Sequence, residues 1–559
     1  MDIAGEPAAH SPVVAVTADM SQVDINEREP RSRPVPARWS SPNWKWAVGA
    51  VVVALLVRLP GTYWGSNFPD GWRTHHPDEW THLINAEMLI DPSSKPRWDH
   101  RYPKGMGAMV AVPMIALRMV YGEMDEPLPS IETIVVAGRI ISVLYGTGSI
   151  IVLILLGRRL FRDRRVPIVA AWILALGGLH VTQSHFFLSD VAGLFWLLLG
   201  LYLLTRELVD DGKGALECLM WASFCFGAAF GMKLVVMGIP SLALITLRRG
   251  PRLRRLVHAT MFFIVGVVSI SFASYTPADL YNTVLGGVAD PSAAFDRAAK
   301  MLLFVLEVPS VISFPVTILA ATSGVMIGWR VLARVRGDRL ACVLLIVVLP
   351  ALCYLIPLIF TLDNFPRHLV PLIPWCALLA GWGLVKLSDE VRRRGLHSAV
   401  LMVPFFTYLA LFVCDGERVF IYEPRNEAAR WVRKHIAPGA KVWFDSYEGL
   451  AGYERVRFPE AGRPPILLVE MMSANHYLSG LSWRDSYPPD YRRIFDGQSQ
   501  ERVDALQNLF RGRSEYREVA RFREGYFMPE YVLTDRLLGN RSRNYVSEIV
   551  IFKKTPKDP

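Results

Sequence analysis

The residues best suited to chemistry lie in one short polar stretch, where residues 75–82 read HHPDEWTH. Asp78 and Glu79 are adjacent carboxylates, and a positioned carboxylate can act as the general base that deprotonates a hydroxyl. Two other interpretations fit the same letters. A proline followed by acids is a common helix start, and Asp78 and His82, one helical turn apart with His76 nearby, could bind a metal ion.

A second acid, Asp190, opens an apolar run directly after the letters HVTQSHFFLS. A carboxylate this close to a bilayer is costly unless it faces the interior of a helix bundle or a water-filled cavity. The alternative is an ordinary acid at a helix N-terminus, which the helix dipole stabilises. His185 in the same stretch is a further candidate, although packing is the commoner role for such a histidine.

Three cations lie in or beside apolar runs and suit an anionic ligand such as a phosphate. Lys233 stands alone in a long apolar stretch, and Arg367 lies where a polar loop returns to the membrane. Snorkelling to the interface is the alternative for Arg367. Arg139 shares an apolar run with Glu132, so it is either half of a structural pair or a phosphate contact.

The elements that must position these residues follow from the composition. The chain has 559 residues, of which 52% are hydrophobic and 20% charged, and its mean hydropathy is +0.26. This excludes one large soluble enzyme. The net charge of +10 does not indicate nucleic-acid binding, because the basic residues stand in short clusters between apolar runs, as in polytopic membrane proteins. All six cysteines lie in or beside apolar runs, which predicts neither disulfides nor a cysteine-ligated metal.

The chain divides into three parts. Residues 1–42 are polar, proline-rich and aperiodic, which predicts a disordered cytoplasmic tail without a cleavable signal peptide. Residues 43–414 carry the apolar runs of a mainly α transmembrane helix bundle. Residues 415–559 are polar, and a helical pattern at 426–435 followed by the strand-like runs KVWFD, PILLVEM, EYVLTD and SEIVIFK predicts an extracytoplasmic α/β domain.

The topology follows from the arginine clusters at 157–165, 248–255, 330–339 and 386–394, which we expect on the cytoplasmic side. They share a side only if residues 216–247 form a hairpin with Lys233 at its tip, and if residues 104–121 form a re-entrant or interfacial helix. The sequence thus predicts eleven crossings, a cytoplasmic N-terminus and an outward-facing C-terminal domain. The loops expected on the outside are 62–103, 184–189, 274–300 and 362–368. The apolar runs are 45–60, 104–121, 133–157, 166–183, 188–205, 216–232, 234–247, 256–273, 308–329, 340–361, 369–387 and 397–414.

Six short motifs follow one another along the chain: HPDE (76–79), Pro-Lys-Gly (103–105), AGRIISVLYG (137–146), HFFLSD (185–190), GAAFGMK (227–233) and RHLVPLIP (367–374). In this order they resemble the GT-C superfamily of membrane glycosyltransferases, in particular the protein O-mannosyltransferases and the lipid A aminoarabinose transferases. The resemblance covers about 45–415, and residues 425–442 resemble the start of the domain appended in bacterial members. It extends the candidate residues to His76, His82, His185, Lys104 and His368.

The resemblance implies a multi-pass enzyme of a bacterial plasma membrane with a sugar donor on polyprenyl monophosphate, and a single inverting displacement at the anomeric carbon. Asp78 would be the general base on the acceptor hydroxyl, Glu79 would orient the site and Asp190 would position acceptor or sugar. The cations Lys233, Arg367 and Arg139 would bind the lipid phosphate and stabilise its charge as it leaves.

The expected enzyme is a hexosyl- or pentosyltransferase with membrane lipid around it and no nucleic-acid partner. The acceptor stays open among a lipid, a glycan and a protein, because YPKG (102–105) stands where the protein transferases usually show a Pro-Pro-Leu-Gly-Lys-like stretch. No cofactor is expected, and a divalent metal stays open.

Three alternatives remain beside this hypothesis. A flippase for lipid-linked sugars would show paired broken helices near the midplane, whereas these polar residues cluster at the outer rim. An oligosaccharide transferase with a pyrophosphate donor would usually require a divalent cation. A non-catalytic scaffold on the same fold has no need to retain both Asp78 and Asp190.

Overall fold

The computed structural model describes residues 44–64, 76, 78–91, 104–121, 130–209, 215–233, 237–248, 252–271, 307–333, 349–360, 366–444, 453–456, 464–470, 499–523, 525–538 and 548–555. Residues 45–559 form one compact unit. The predicted tail 1–42 and the loop 274–300 lie outside the described residues, as does most of the loop 62–103.

Most of the described residues up to 421 lie in helices, many of them long and apolar. The main ones are α1 (Trp44–Arg58), α2 (Glu79–Ile90), α3 (Gly105–Tyr121), α4 (Ile131–Leu160), α5 (Arg165–Ala175), α6 (Gly178–Gln183), α7 (Ser189–Val209), α8 (Ala215–Lys233), α9 (Gly238–Arg248), α10 (Arg252–Ser271), α11 (Phe314–Ala333), α12 (Leu349–Phe360), α13 (Ile373–Arg393) and α14 (Ala399–Ile421), with 3-10 turns at Pro60–Tyr63 and Pro366–Leu372.

Seven helical segments among the described residues are long and apolar enough to cross a membrane. They are Trp44–Tyr63, Glu132–Leu160, Ser189–Glu207, Ala215–Lys233, Arg252–Ile270, Arg367–Arg393 and Ala399–Arg418. Shorter apolar helices cover Gly105–Ala116, Arg165–Ala175 and Phe314–Trp329. The predicted mainly α polytopic fold is confirmed, whereas the eleven crossings and their orientation stay predictions.

Two interruptions matter for the positions of polar residues. The predicted break within 216–247 is confirmed, since α8 ends at Lys233 and α9 begins at Gly238. The run 166–183, in contrast, is not one helix. Helix α5 ends at Ala175, and α6 starts only after Gly177, whose backbone is extended. This break ends the longer helix well before the HFFLSD motif.

Helices α8 and α10 touch backbone to backbone at two glycines. A methyl group on Gly227 would lie 2.0 Å from the carbonyl oxygen of Phe263, and one on Gly266 would lie 2.2 Å from the carbonyl oxygen of Phe224. Small residues allow such close approach between membrane helices, where packing replaces the hydrophobic effect as the driving force. The contact anchors the half of α8 that ends at Lys233.

A five-stranded sheet with helices on both faces follows the membrane helices. Its strands lie in the order β2-β1-β3-β5-β4, parallel among the first three and antiparallel at β5 and β4. The elements of this part are α15 (Pro424–His435), β1 (Lys441–Phe444), β2 (Glu454–Val456), β3 (Ile466–Glu470), α16 (Ser499–Phe510), β4 (Tyr516–Phe522), α17 (Pro529–Leu538) and β5 (Ile549–Lys554).

Burial on both faces explains why the central strands read as unbroken apolar runs. In β3, Ile466 and Leu468 pack in the core beneath α15, while Leu467 and Val469 pack in the core beneath α16. Successive side chains of a strand point to opposite faces, so a strand covered on both sides has to be apolar at every position. The predictions for KVWFD, PILLVEM and SEIVIFK are confirmed.

The prediction of a strand at EYVLTD is wrong, because these residues belong to α17, and the strand β4 escaped the sequence pattern. Helix α17 packs against the membrane helices. Its buried Glu530 accepts hydrogen bonds from the Phe314 amide that begins α11 and from the Tyr408 hydroxyl, both at 2.8 Å. Tyr531 stacks on Phe412 of α14 with ring centroids 4.7 Å apart. These tertiary contacts favour the helix over the local strand propensity.

Replacing Gly227 by alanine should destabilise the protein, because the new methyl group would overlap a backbone carbonyl that cannot rotate away. We expect a loss of about 1–3 kcal/mol or more, measured as a lower unfolding temperature in detergent. Gly328→Ala in α11 is the matched control. A methyl group there meets nothing within 4 Å, and alanine favours a helix. Equal unfolding temperatures for the two variants would contradict the α8–α10 contact.

Candidate active site

Four charged side chains form two neighbouring ion pairs. The Asp78 carboxylate accepts a hydrogen bond from the Arg367 guanidinium, and the Asp190 carboxylate accepts one from the Lys233 ammonium. The side chain of Asp78 is 22% exposed and that of Asp190 is 5% exposed. All four residues are candidates from the sequence, and the structure brings each acid against a cation.

Each of the four lies at the end of a helix or in a turn. Asp78 directly precedes α2, Asp190 is in the first turn of α7, and Lys233 is the last residue of α8. Arg367 lies in the 3-10 turn Pro366–Leu372, which packs against α6, α7 and α13. Acids at helix N-termini and a cation at a helix C-terminus each match the local helix dipole.

The cluster keeps the Asp78 carboxyl group ionised. Burial alone raises the pKa of this group, but the Arg367 guanidinium and the more distant Lys233 ammonium outweigh it, so the pKa lies well below its usual value. Because Lys233 acts on Asp78 as well as on its own partner, the two pairs form one cluster. A carboxylate held in this way is a weak base for as long as Arg367 stays beside it.

His76 orients the backbone in front of α2. Its Nδ1 accepts a hydrogen bond from the Asp78 amide at 3.1 Å. Burial, with help from Arg367 and Arg139, lowers the pKa of His76 well below its usual value despite the opposing charge of Asp78. His76 is therefore neutral with its proton on Nε2, and its hydrogen bond with the Asp78 amide fixes the backbone directly in front of α2.

Glu79 and Arg139 form a fully buried pair beside this cluster. Arg139 donates from Nε and Nη2 to the two carboxylate oxygens of Glu79, both at 2.8 Å, and both side chains are 0% exposed. Its Nη1 donates to the carbonyls of Thr62 and Trp64. The Phe187 amide donates to the same Glu79 carboxylate at 2.7 Å. Arg139 thus pairs with Glu79, not with Glu132.

Two glycines make room for the HFFLSD segment, Gly138 in the AGRIISVLYG motif and Gly61 in the 3-10 turn Pro60–Tyr63. A methyl group on Gly138 would lie 2.3 Å from the Phe187 ring, and one on Gly61 would lie 2.3 Å from the His185 ring. Both rings therefore rest directly on the backbone of a neighbouring element. Motifs that stand far apart in the sequence are complementary surfaces of one site.

The remaining candidates fall into different positions. His82 is buried one turn into α2, 5.7 Å from the Phe187 ring. His185 bonds Glu417 and the Arg58 carbonyl, so it does not face the four-charge cluster through either ring nitrogen. Among the residues that the structure describes, no group of three His, Cys, Asp or Glu side chains could hold a metal ion.

Lys104 lies close to the end of α8. A methyl group on the next residue, Gly105, would be 2.9 Å from Met232 Sδ and 3.0 Å from the Ile270 carbonyl oxygen. Met232 directly precedes Lys233, so this contact brings Lys104 to the same end of α8.

Tyr354 escaped the sequence analysis. Its hydroxyl donates to the carbonyl of His368 at 2.8 Å, next to Arg367, and holds the 3-10 turn in place. A tyrosine inside the apolar letters LPALCYLIPLIF of α12 gives no local signal of this role. His368 contributes its backbone to that contact.

Comparison with known proteins supports the resemblance drawn from the motifs. The profile of the dolichyl-phosphate-mannose-protein mannosyltransferase family matches residues 126–249. The matched segment holds Arg139, Asp190 and Lys233, whereas Asp78 and Arg367 lie outside it. No curated protein sequence matches at a significant level. The family match confirms the resemblance to GT-C enzymes and the prediction of a membrane glycosyltransferase.

Solved structures with a similar arrangement are distant. The apo oligosaccharyltransferase of Archaeoglobus fulgidus has 12% identity and a TM-score of 0.46, over 92% of this chain and 89% of that one. ArnT from Cupriavidus metallidurans bound to undecaprenyl phosphate has 16% identity and a TM-score of 0.42, over 70% and 73%. The Pmt1-Pmt2 protein O-mannosyltransferase of S. cerevisiae bound to its sugar donor has 18% identity and a TM-score of 0.31, over 46% and 36%.

Replacing Arg367 by methionine should raise the pKa of Asp78. Without the guanidinium, burial is no longer outweighed, so the carboxyl group takes up its proton at a higher pH than in the wild type. Infrared difference spectra recorded during a pH titration would show this as a carboxylic-acid band at higher pH. The double variant with Asp78→Asn assigns the band, because it must lose it. An unshifted band would contradict the pairing.

Proposed function

We propose that this chain is an inverting glycosyltransferase that moves a sugar from polyprenyl monophosphate to an acceptor hydroxyl on the outer side of the membrane. The observation that carries the proposal is the four-charge cluster, in which two carboxylates and two cations lie together at helix ends. This reaction needs a carboxylate that accepts a proton and cations that bind a phosphate. The matched family, by its name, uses a sugar on dolichyl phosphate.

The donor phosphate would bind by exchanging with the acids. Lys233 and Arg367 are each already paired with a carboxylate. The donor phosphate is a diester with one negative charge, and its two free oxygens can accept bidentate bonds from a guanidinium. Lys104 directly precedes Gly105, whose backbone meets the end of α8, and is a further candidate for the phosphate. The phosphate therefore takes over the cations, and Asp78 and Asp190 are released toward the acceptor and the sugar.

Asp78 would then act as the general base. As the phosphate draws Arg367 away, burial raises the pKa of Asp78 toward the range in which it accepts a proton. The acceptor oxygen forms a bond to the anomeric carbon, its proton passes to Asp78, and the bond from the carbon to the phosphate oxygen breaks on the opposite face. The charge that develops on the leaving phosphate is stabilised by Lys233 and Arg367.

Glu79 and Arg139 would support the site without touching the phosphate. The donors of Arg139 are directed at Glu79 and at two backbone carbonyls. A phosphate contact would have to break this buried network, so we assign the pair to positioning. Asp190 would contact the sugar or the acceptor once Lys233 binds the phosphate.

Purified protein in nanodiscs, given a panel of polyprenyl-phosphate sugars and a membrane extract as acceptor source, should consume one donor and release polyprenyl phosphate. Asp78→Asn should lose about 10²–10⁴-fold of this rate, as expected for a missing general base. Asp389→Asn is the matched control, because Asp389 also pairs with an arginine, Arg165. Mass spectrometry follows the donor. Movement of intact lipid-linked sugar between vesicles without any turnover would favour the flippase instead.

Exchange of partners predicts opposite effects on binding for the two members of one ion pair. Lys233→Met should weaken the binding of polyprenyl phosphate about 10–100-fold, the effect of one lost charge-assisted hydrogen bond. Asp190→Asn should strengthen the same binding, because the competing carboxylate is gone, yet it should lower turnover. Calorimetry with polyprenyl phosphate alone measures both. Weaker binding in both variants would show that the pair does not open for the phosphate.

A further inference from the structure

A short segment at the end of α14 is connected, through buried side chains, to both ion pairs of the four-charge cluster. Residues 417–425 run from the end of α14 into the first turn of α15, and three of their side chains face the segments that carry the site acids. They are Glu417, Phe420 and Glu423, of which Phe420 is 9% and Glu423 is 1% exposed.

Glu423 is linked to the neighbourhood of Asp78 through Trp64. The indole Nε1 of Trp64 donates to Glu423 Oε2 at 2.8 Å, and Arg425 donates to Glu423 Oε1 at 2.7 Å while its guanidinium lies 5.3 Å from the centroid of the Trp64 ring. The carbonyl of the same tryptophan accepts a hydrogen bond from Arg139, which holds Glu79. One side chain therefore links the start of α15 to the residue next to Asp78.

Glu417 is linked to the segment that carries Asp190 through His185. His185 donates from Nδ1 to the Arg58 carbonyl at 2.8 Å, since a carbonyl can only accept, and its Nε2 bonds Glu417. Thr182 donates to the other oxygen of Glu417 at 3.2 Å. His185 is fully buried and begins the segment that ends at Asp190.

Phe420 lies between Glu417 and Glu423 in the sequence and packs against both Trp64 and His185. Its ring is edge-on to Trp64 at 5.1 Å, to His185 at 5.6 Å and to Phe186 at 5.9 Å. Trp64 and Phe186 also meet edge-on at 5.6 Å. The aromatic cluster gives the two polar links a common, rigid support.

We propose that residues 417–425 are a positioning element of the active site, with Glu423 acting through Trp64 and Glu417 acting through His185. The inference rests on the proposed glycosyl transfer for its catalytic consequence. It assigns a role in catalysis to the junction between the membrane helices and the α/β part of the chain, at side chains that contact neither donor nor acceptor.

The test compares Glu423→Ala and Glu423→Gln in the full chain with Glu427→Gln. Glu427 is the matched control, because it is an exposed acid on the same helix α15 and also pairs with an arginine. In Glu423→Ala, kcat should fall on the order of 10²-fold, as for a catalytic group displaced by about 1 Å, while the KM for the donor and the affinity for polyprenyl phosphate stay unchanged. Glu423→Gln keeps an acceptor for the Trp64 indole and should regain part of the rate.

Hydrogen exchange on the same proteins separates this inference from the proposed function. Glu423→Ala should speed amide exchange in the peptides that cover 76–91 and 184–190 more than in the peptides of the α/β sheet, whether or not any donor is turned over. If the wild type turns over no donor and Glu423→Ala still shows faster exchange, the positioning element is supported and the proposed function is overturned. If the wild type is active, two results would overturn the positioning element. One is an unchanged kcat and unchanged exchange in Glu423→Ala, and the other is an equal loss of kcat and of affinity for polyprenyl phosphate.

Discussion

The buried pair of Glu79 and Arg139 is the interaction on which the site depends. A carboxylate and a guanidinium with no exposure to solvent are tolerable only when nearly every donor and acceptor is matched. That requirement brings three segments to one point, because the carbonyls of Thr62 and Trp64 and the Phe187 amide are needed to complete the network. Asp78 is adjacent to Glu79, and Asp190 lies three residues after Phe187. The geometry of both site acids is therefore set by a pair that need not contact a substrate at all.

Charge balance explains why each acid of the four-charge cluster forms an ion pair with a cation. Isolated charges at the edge of a bilayer are expensive, so cations that lie there need opposite charges beside them. Pairing each cation with a carboxylate achieves this. In the mechanism that we propose, it also makes the strength of the Asp78 base depend on the donor, because a bound phosphate would draw Arg367 away from the carboxylate.

The sequence locates the charged residues of the site better than it identifies their partners. Asp190, Lys233 and Arg367 stand out because each is a charge beside an apolar run, and Asp78 stands out because it lies next to Glu79 in a short polar stretch. Both signals are local. The partner of Arg139 is not local. Glu132 lies seven residues earlier on α4, about 10 Å along the axis at 1.5 Å per residue, too far for an ion pair, whereas Glu79 approaches from another helix. The strand predicted at EYVLTD fails for the same reason, because contacts with Phe314, Tyr408 and Phe412 decide its conformation. The contacts of Phe187 on Gly138 and of Glu423 on Trp64 leave no trace in local periodicity.

The hydrogen bond from the Phe314 amide to Glu530 spans 216 residues, and this separation has a consequence for biosynthesis. Helix α11 leaves the ribosome long before the residue that completes its N-terminus has been made. The bundle therefore reaches its final packing only after α17 has been made. A chain cut between α11 and α17 therefore keeps a helix N-terminus whose first amide lacks this partner.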